Sequence, residues 1–285
     1  MAIEPLPAPA AHPFDRATAV VAAGPSRWRA QLDPDWFGSV APHGGHLAAQ
    51  LLRAMVAEVD NPALTARSLT VHFLTAGAPG PFTTEVRIER AGRSLSALSA
   101  RAIQDGETLA VAMAALGRPR RGPAINAATR RVIPAPGELR GASQSARARL
   151  PPVMGHYEMR YAFGAPRTGE EPASGGWVRP RIPLAPSDVL TAALSDTWMP
   201  SVYVALAQPE MTTTVELTVN FLASPEGLAP DGWYQVGFWT PAAGEGYFRE
   251  EGEIWGADGR RLARCSQLAV FLGGRVPRRF AHDPA

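Results

Sequence analysis

Three features of this chain combine residue types and spacings that can do chemistry: Asp196, Gln267 and the pair Gly44-Gly45. The pattern around Asp196 predicts a helix from Asp188 to about Trp198, with Ser187 as its N-cap and Pro200 marking its end. On that helix Val189, Ala193 and Asp196 stand at i, i+4 and i+7, so the carboxylate faces the apolar side. An acid held there is partly desolvated unless it finds partners, and that is the setting of a general base. The other reading is a solvated Asp near a helix end. Gln267 falls on a predicted strand whose face also carries Ala263, Cys265, Ala269 and Phe271. Small residues on one face let a helix approach closely, and a lone Gln among them is either a site amide or a satisfied core amide. Gly44 and Gly45 open a predicted helix. Their N–H groups have no intrahelical partner and sit at the positive end of the dipole, where a carbonyl oxygen can become an oxyanion. A tight turn packed on a sheet is the alternative.

Other chemistries lack their residues. His43 and His46 have no cluster of further ligands around them, so no metal site is expected. His43-Gly44-Gly45-His46 follows no clear buried strand, which disfavours a dinucleotide or P-loop site. There is no Gly-x-Ser-x-Gly elbow for a serine nucleophile. Cys265 is the single cysteine, so no internal disulfide can form; it reads as a small packed residue in a reducing compartment. No signal or membrane-spanning segment is evident, and the cytoplasm is the expected location. All 28 basic residues are Arg, yet the net charge is only +2, which gives no argument for nucleic acid. Eight arginines fall between Arg118 and Arg149 against the one acid Glu138, a run read as a solvated, partly mobile linker.

The elements that must position these groups come in duplicate. Leu69-Thr70-Val71-His72-Phe73-Leu74 returns 148 residues later as Leu217-Thr218-Val219-Asn220-Phe221-Leu222, with five of six positions identical. Asp105-Gly106, with Leu109-Ala110 behind it, returns 153 residues later as Asp258-Gly259, with Leu262-Ala263. Two echoes in the same order imply a duplicated unit. In the first half, an opening strand at Trp28–Leu32 precedes a helix whose apolar face is Leu47, Leu51, Leu52, Met55 and Val56. Strands are predicted at 68–74, 83–90, 94–103 and 108–116. The second half repeats this, with opening strands at 159–163 and 176–181, the helix from Asp188, and strands at 213–222, 233–240, 246–255 and 261–272. Helix followed by antiparallel strands, twice over, is an α+β pattern. The expected organisation is a first repeat at 14–117, an Arg/Pro-rich linker at 118–150, a second repeat at 151–274 and a tail at 275–285. At the offset of the second echo, the counterpart of Gln267 is Ala114, so the polar group occurs in one copy only.

With these residues in hand, the chain resembles the type II acyl-CoA thioesterases. The resemblance rests on Gly44-Gly45-His46, Val71-His72-Phe73-Leu74 and Gly92-Arg93-Ser94 with Gln104-Asp105-Gly106 in the first half. In the second half it rests on Leu194-Ser195-Asp196 with Pro200, Thr214 before Phe221, and Asp258-Gly259 followed by Gln267. It implies a double hotdog fold, two tandem helix-wrapped antiparallel sheets fused in one chain. It also implies acyl-CoA as substrate, no cofactor, and an attacking water held by Asp196, Thr214 and Gln267, with Gly44 and Gly45 at the oxyanion. No membrane or nucleic-acid partner is implied, and assembly of further copies is compatible with it. Regular alternation puts Thr214 on the face of Glu216, Thr218 and Asn220, so only a bulge would turn it inward. Two other readings share the fold: an enoyl-thioester hydratase, for which the second half supplies no His beside Asp196, and a non-catalytic acyl-thioester binder.

Overall fold

The computed structural model describes residues 12–39, 41–123, 125, 129–141, 150–165, 168, 170–208 and 210–273. The predicted tail at 275–285 and part of the predicted linker lie outside them.

The echoed hexapeptides form the seam of the molecule. Strand β3 (Thr65–Phe73) pairs antiparallel with β9 (Thr212–Phe221), with Thr70 opposite Thr218. These two threonines are the same position of the repeat, and their hydroxyls lie 2.9 Å apart. A pseudo-twofold axis therefore passes between them. On the first side lie β1 (Val21–Ala22), β2 (Arg27–Leu32), β4 (Gly80–Arg90), β5 (Leu95–Gln104) and β6 (Glu107–Gly117). On the other lie β7 (Tyr157–Phe163), β8 (Ala173–Pro180), β10 (Tyr234–Gly244), β11 (Tyr247–Gly256) and β12 (Arg261–Phe271). The order is β1-β2-β4-β5-β6-β3-β9-β12-β11-β10-β8-β7, one antiparallel sheet of twelve strands. Reading outward from the seam, β3-β6-β5-β4-β2 matches β9-β12-β11-β10-β8. This is the double hotdog. The Asp-Gly turns correspond too, with Gly106 at φ 86° and Gly259 at φ 88°, conformations that favour glycine.

Helix α2 (Gly44–Val59) is the core of the first half; a short α1 (Pro13–Ala17), not foreseen in the sequence, packs Phe14 into the same cluster. Leu51, Leu52, Ala54 and Met55 are wholly buried. Gln50 is buried as well, and its amide donates to the carbonyls of Ala17 and Gln31. The concave strand positions are small, as at Ala100, Ala102, Ala110, Ala112 and Ala114, which lets the helix lie close. The chain leaves α2 through Asp60, left-handed at φ 45°, just before Asn61-Pro62.

The second half departs from the expected single long helix. Helix α3 (Asp188–Leu194) has seven residues, not the eleven predicted to Trp198. Side-chain hydroxyls capture its last carbonyls: Ser195 donates to Ala192 and Thr197 to Leu194. The chain then turns and makes only a short α4 (Val202–Ala205). Asp196 accordingly sits in the turn beyond the helix, not on its apolar stripe.

The Arg-rich segment is mostly exposed among its described residues, and a few local contacts tie it to the second half. Arg131 stacks over Phe163 at 3.9 Å, and its carbonyl accepts from Gln235. The Pro134 carbonyl accepts from the Trp177 indole. These exposed residues are tethered to the second half by cation–π and hydrogen-bond contacts that composition alone does not announce. Among the described residues, no helix is long and apolar enough to cross a membrane, and no group of His, Cys, Asp and Glu is placed to hold a metal ion.

Candidate active site

α2 and α3 pack against each other, and the N-terminus of α2 meets the turn after α3. Asp196 stands at that meeting point. Its Oδ2 accepts the Gly45 N–H at 2.8 Å, and its Oδ1 accepts Nε2 of Gln267 at 3.0 Å. Thr214 Oγ1 donates to Gln267 Oε1 at 2.8 Å, which fixes the amide so that its NH2 faces the acid. Three residues from separate segments thus form one hydrogen-bonded chain, Thr214 to Gln267 to Asp196, completed by a backbone donor from the other half. Gln267 Nε2 also reaches the Ser195 carbonyl at 3.4 Å.

Thr214 arrives there because β9 carries the bulge that alternation required. Leu268 pairs with Glu216 but Ala269 pairs with Thr214, so Val215 is skipped. The slip turns Thr214 to the face of Leu217 and toward Gln267.

The glycines are needed for close approach. A Cβ on Gly45 would lie 2.5 Å from the Ala193 carbonyl and 2.8 Å from Asp196 Cβ. On Gly44 it would lie 2.9 Å from Asp196 Oδ2. The role foreseen for the pair divides. The Gly45 N–H is spent on Asp196 and is not free for an oxyanion. The Gly44 N–H has no acceptor among the described residues and borders the cavity.

His43 was not expected beside the acid. It is the N-cap of α2, with Nδ1 accepting from the His46 N–H, so the ring hydrogen is on Nε2. That Nε2 donates to the Asp196 carbonyl at 2.8 Å and lies 3.5 Å from Oδ2. The reading that no His stands near Asp196 holds for the second half alone; the first half supplies one across the interface. Both ring nitrogens are already engaged.

Glu250 was missed outright. It alternates with Phe248, Gly252 and Ile254 on the inner face of β11, a period-2 signal present in the sequence. It pairs in register with Gln267. Its Oε1 accepts from both the N–H and the hydroxyl of Ser201, at 2.6 and 2.7 Å. Burial pushes its pKa up to about 7; the Ser201 bonds oppose that rise and the nearby Asp196 charge adds to it. Cys265, by contrast, is held as an inert thiol, its pKa raised first by burial and then by Glu250 and Asp196.

His43, Gly44, Asp196, Thr214, Glu250 and Gln267 line one cavity of about 540 Å³. Its apolar wall is Phe73, Met154, Met159, Trp198, Met199 and Phe248, with Tyr161 and Tyr203. An apolar slot with a few convergent polar groups suits an acyl chain ending in a reactive carbonyl.

Comparison with known proteins shows the family and the fold. A family model described as the acyl-CoA thioesterase N-terminal domain matches residues 32–117, and one described as the acyl-CoA thioesterase C-terminal domain matches residues 130–271. The chain belongs to the acyl-CoA thioesterase family. It is therefore a thioester hydrolase of the double hotdog type. Among solved structures, it is similar to a conserved protein of unknown function with a hot dog fold from Alicyclobacillus acidocaldarius, at 30% identity and TM-score 0.85, over 92% of this chain and 98% of that one. It is also similar in fold to a putative thioesterase II from Thermobifida fusca, at 24% identity and TM-score 0.79, over 91% and 97%. An acyl-CoA thioesterase II from Mycobacterium marinum shares the fold at 22% identity and TM-score 0.74, over 92% and 99%. No curated protein matches by sequence. In the C-terminal domain of this thioesterase lie Asp196, Thr214 and Gln267, while Gly44 and Gly45 belong to the N-terminal one.

Proposed function

We propose that the enzyme hydrolyses acyl-CoA by direct attack of a water activated by Asp196. The observation that carries this reading is the chain Thr214 to Gln267 to Asp196 at the mouth of an apolar slot. Asp196 accepts one proton of the water. Gln267 Oε1 and Thr214 Oγ1 offer acceptors for the other, which aims the oxygen lone pair at the thioester carbon. The Gly44 N–H at the positive end of α2 meets the oxygen as it gains charge. The tetrahedral species then collapses, the C–S bond breaks, and the proton taken by Asp196 passes to the coenzyme A sulfur. Water supplies the hydroxyl of the acid product. With one cysteine and no metal or bound cofactor required, this chemistry suits the cytoplasm.

The nearness of His43 to Asp196 favours a second reading, hydration of an enoyl thioester. Its ring, however, has no nitrogen left to face a substrate. Release of free thiol from short, medium, long and aromatic acyl-CoAs decides between them. Hydrolysis yields one thiol per turnover, whereas hydration and simple binding yield none. Silence across the whole panel would overturn the proposal.

A further inference from the structure

Glu250 has no part in the mechanism just given, yet its side chain reaches the same cavity. Oε1 is fully engaged, taking two donors from Ser201, whose hydroxyl also meets that of Thr240 at 2.8 Å. Oε2 has no protein partner among the described residues. It is not sealed in the interior either, since Glu250 is one of the cavity's lining residues. A proton on this carboxyl therefore belongs on Oε2, because Oε1 is accepting. The register places Glu250 directly across from Gln267, one strand from the residue that holds Asp196. Two acids thus share one buried pocket. No cation is among the groups that act on Glu250. The titratable neighbours are Asp196 from the turn, Tyr203 from α4 and Cys265 from β12, all neutral or negative; β10 contributes only Thr240.

We propose that Glu250 is an electrostatic positioning residue of this site: as a neutral carboxyl it leaves Asp196 the sole negative charge at the water, and its ionisation shuts turnover down. The reason is the charge of the transition state. Attack by water builds negative charge on the thioester oxygen inside a poorly solvated slot. A second carboxylate on the pocket wall opposes that build-up, because like charges lining one poorly solvated cavity cannot both be held cheaply. Protonated Glu250 adds no charge while still anchoring Ser201 and the turn that carries Asp196. The proposal rests on the hydrolytic reading.

The sign follows from the raised pKa of about 7. Glu250 is neutral below it and charged above it, so kcat falls as pH rises through neutrality. Between pH 6 and pH 8.5 the expected fall is on the order of tenfold or more, if the neutral form alone turns over. Glu250→Gln keeps the acceptor toward Ser201 and cannot ionise. Its ratio of kcat at pH 6 to that at pH 8.5 should collapse to about one, whatever its absolute rate. Glu250→Ala cannot ionise either, so its pH profile should be equally flat, but because it drops the Ser201 anchor its kcat should be lower than that of Glu250→Gln at both pH values. An alkaline limb that persists unchanged in Glu250→Gln overturns the proposal. So does a wild type with no alkaline limb. If Glu250→Gln does not fold, infrared titration of the intact wild type with isotope-labelled glutamate decides instead. A glutamic acid carbonyl band that disappears in step with kcat supports it; full ionisation at pH 6 overturns it. A wild type that hydrolyses no thioester at any pH defeats the hydrolytic reading, a different outcome from turnover with the wrong pH profile.

Discussion

The two halves of this enzyme share strand pairing and a bulge around the candidate site, and differ in its side chains and in where the helix ends. In the second half Leu217 pairs with Gln267; in the first, its counterpart Leu69 pairs with Ala114. Even the bulge is duplicated. Arg67 is skipped between Ala66 and Ser68 just as Val215 is skipped between Thr214 and Glu216. Ala66 therefore stands where Thr214 stands. Counted from the N-caps His43 and Ser187, the counterpart of Asp196 is Leu52, buried inside an unbroken helix. The helix N-terminus that faces the first-half position begins with Asp188, whose carboxylate accepts the Ala66 N–H. One copy is thus a polar site and the other a filled core. The shared strands, bulge included, are not what makes the site; three side chains, the early end of α3 and a glycine-opened helix from the opposite half are.

The largest effect should come from Asp196→Asn. Asn is nearly isosteric, but its single oxygen can accept from only one of Gly45 and Gln267, and it cannot take a proton from water. Hydrolysis should fall a hundredfold or more with fold and substrate binding retained; undiminished thiol release would remove the base from the mechanism. Next is Gly45→Ala, which tests whether the halves act as one unit. The added methyl must push α2 off the 193–196 turn, at a cost of about 1–3 kcal/mol in stability. Misplacing Asp196 should lower kcat by up to about a hundredfold. A variant with unchanged denaturation midpoint and kcat would mean the close contact is dispensable. Gln267→Ala makes the second half resemble the first at one position. Loss of an orienting contact should cost roughly tenfold to a hundredfold in kcat, less than loss of the base. The smallest effect on activity is expected from the reverse change, Ala114→Gln. It should add no turnover, since Leu52 supplies no acid, and should cost roughly 1–3 kcal/mol from a buried amide without partners. A new active site in that variant, detected as activity surviving Asp196→Asn, would break the comparison.

The duplication, the succession of strands along the chain and the turn glycines were legible in the amino-acid sequence. They depend on local periodicity and on echoes between segments, and both are present in the chain before it folds. The identity of the polar set was legible through resemblance, and the asymmetry between Gln267 and Ala114 through the repeat offset. The environment of Asp196 was not. Helical spacing put it on an apolar stripe, but Ser195 and Thr197 end the helix by taking its carbonyls, a competition between side chain and backbone that periodicity does not weigh. Glu250 had a visible signal in its period-2 place on β11, but a carboxylate on an inner face gains meaning only from what surrounds it.

By itself, then, the sequence determined two copies of a helix-wrapped antiparallel sheet and a polar set confined to the second. Tertiary structure decided the rest: that the Gly45 N–H and His43 cross from the first half to Asp196, that Thr214 turns inward at a bulge, and that Glu250 shares their pocket. These contacts join residues up to 153 positions apart in hydrogen bonds. Their partners are chosen by the packing of α2 against α3 and by strand register, which exist only once the two halves have closed on each other.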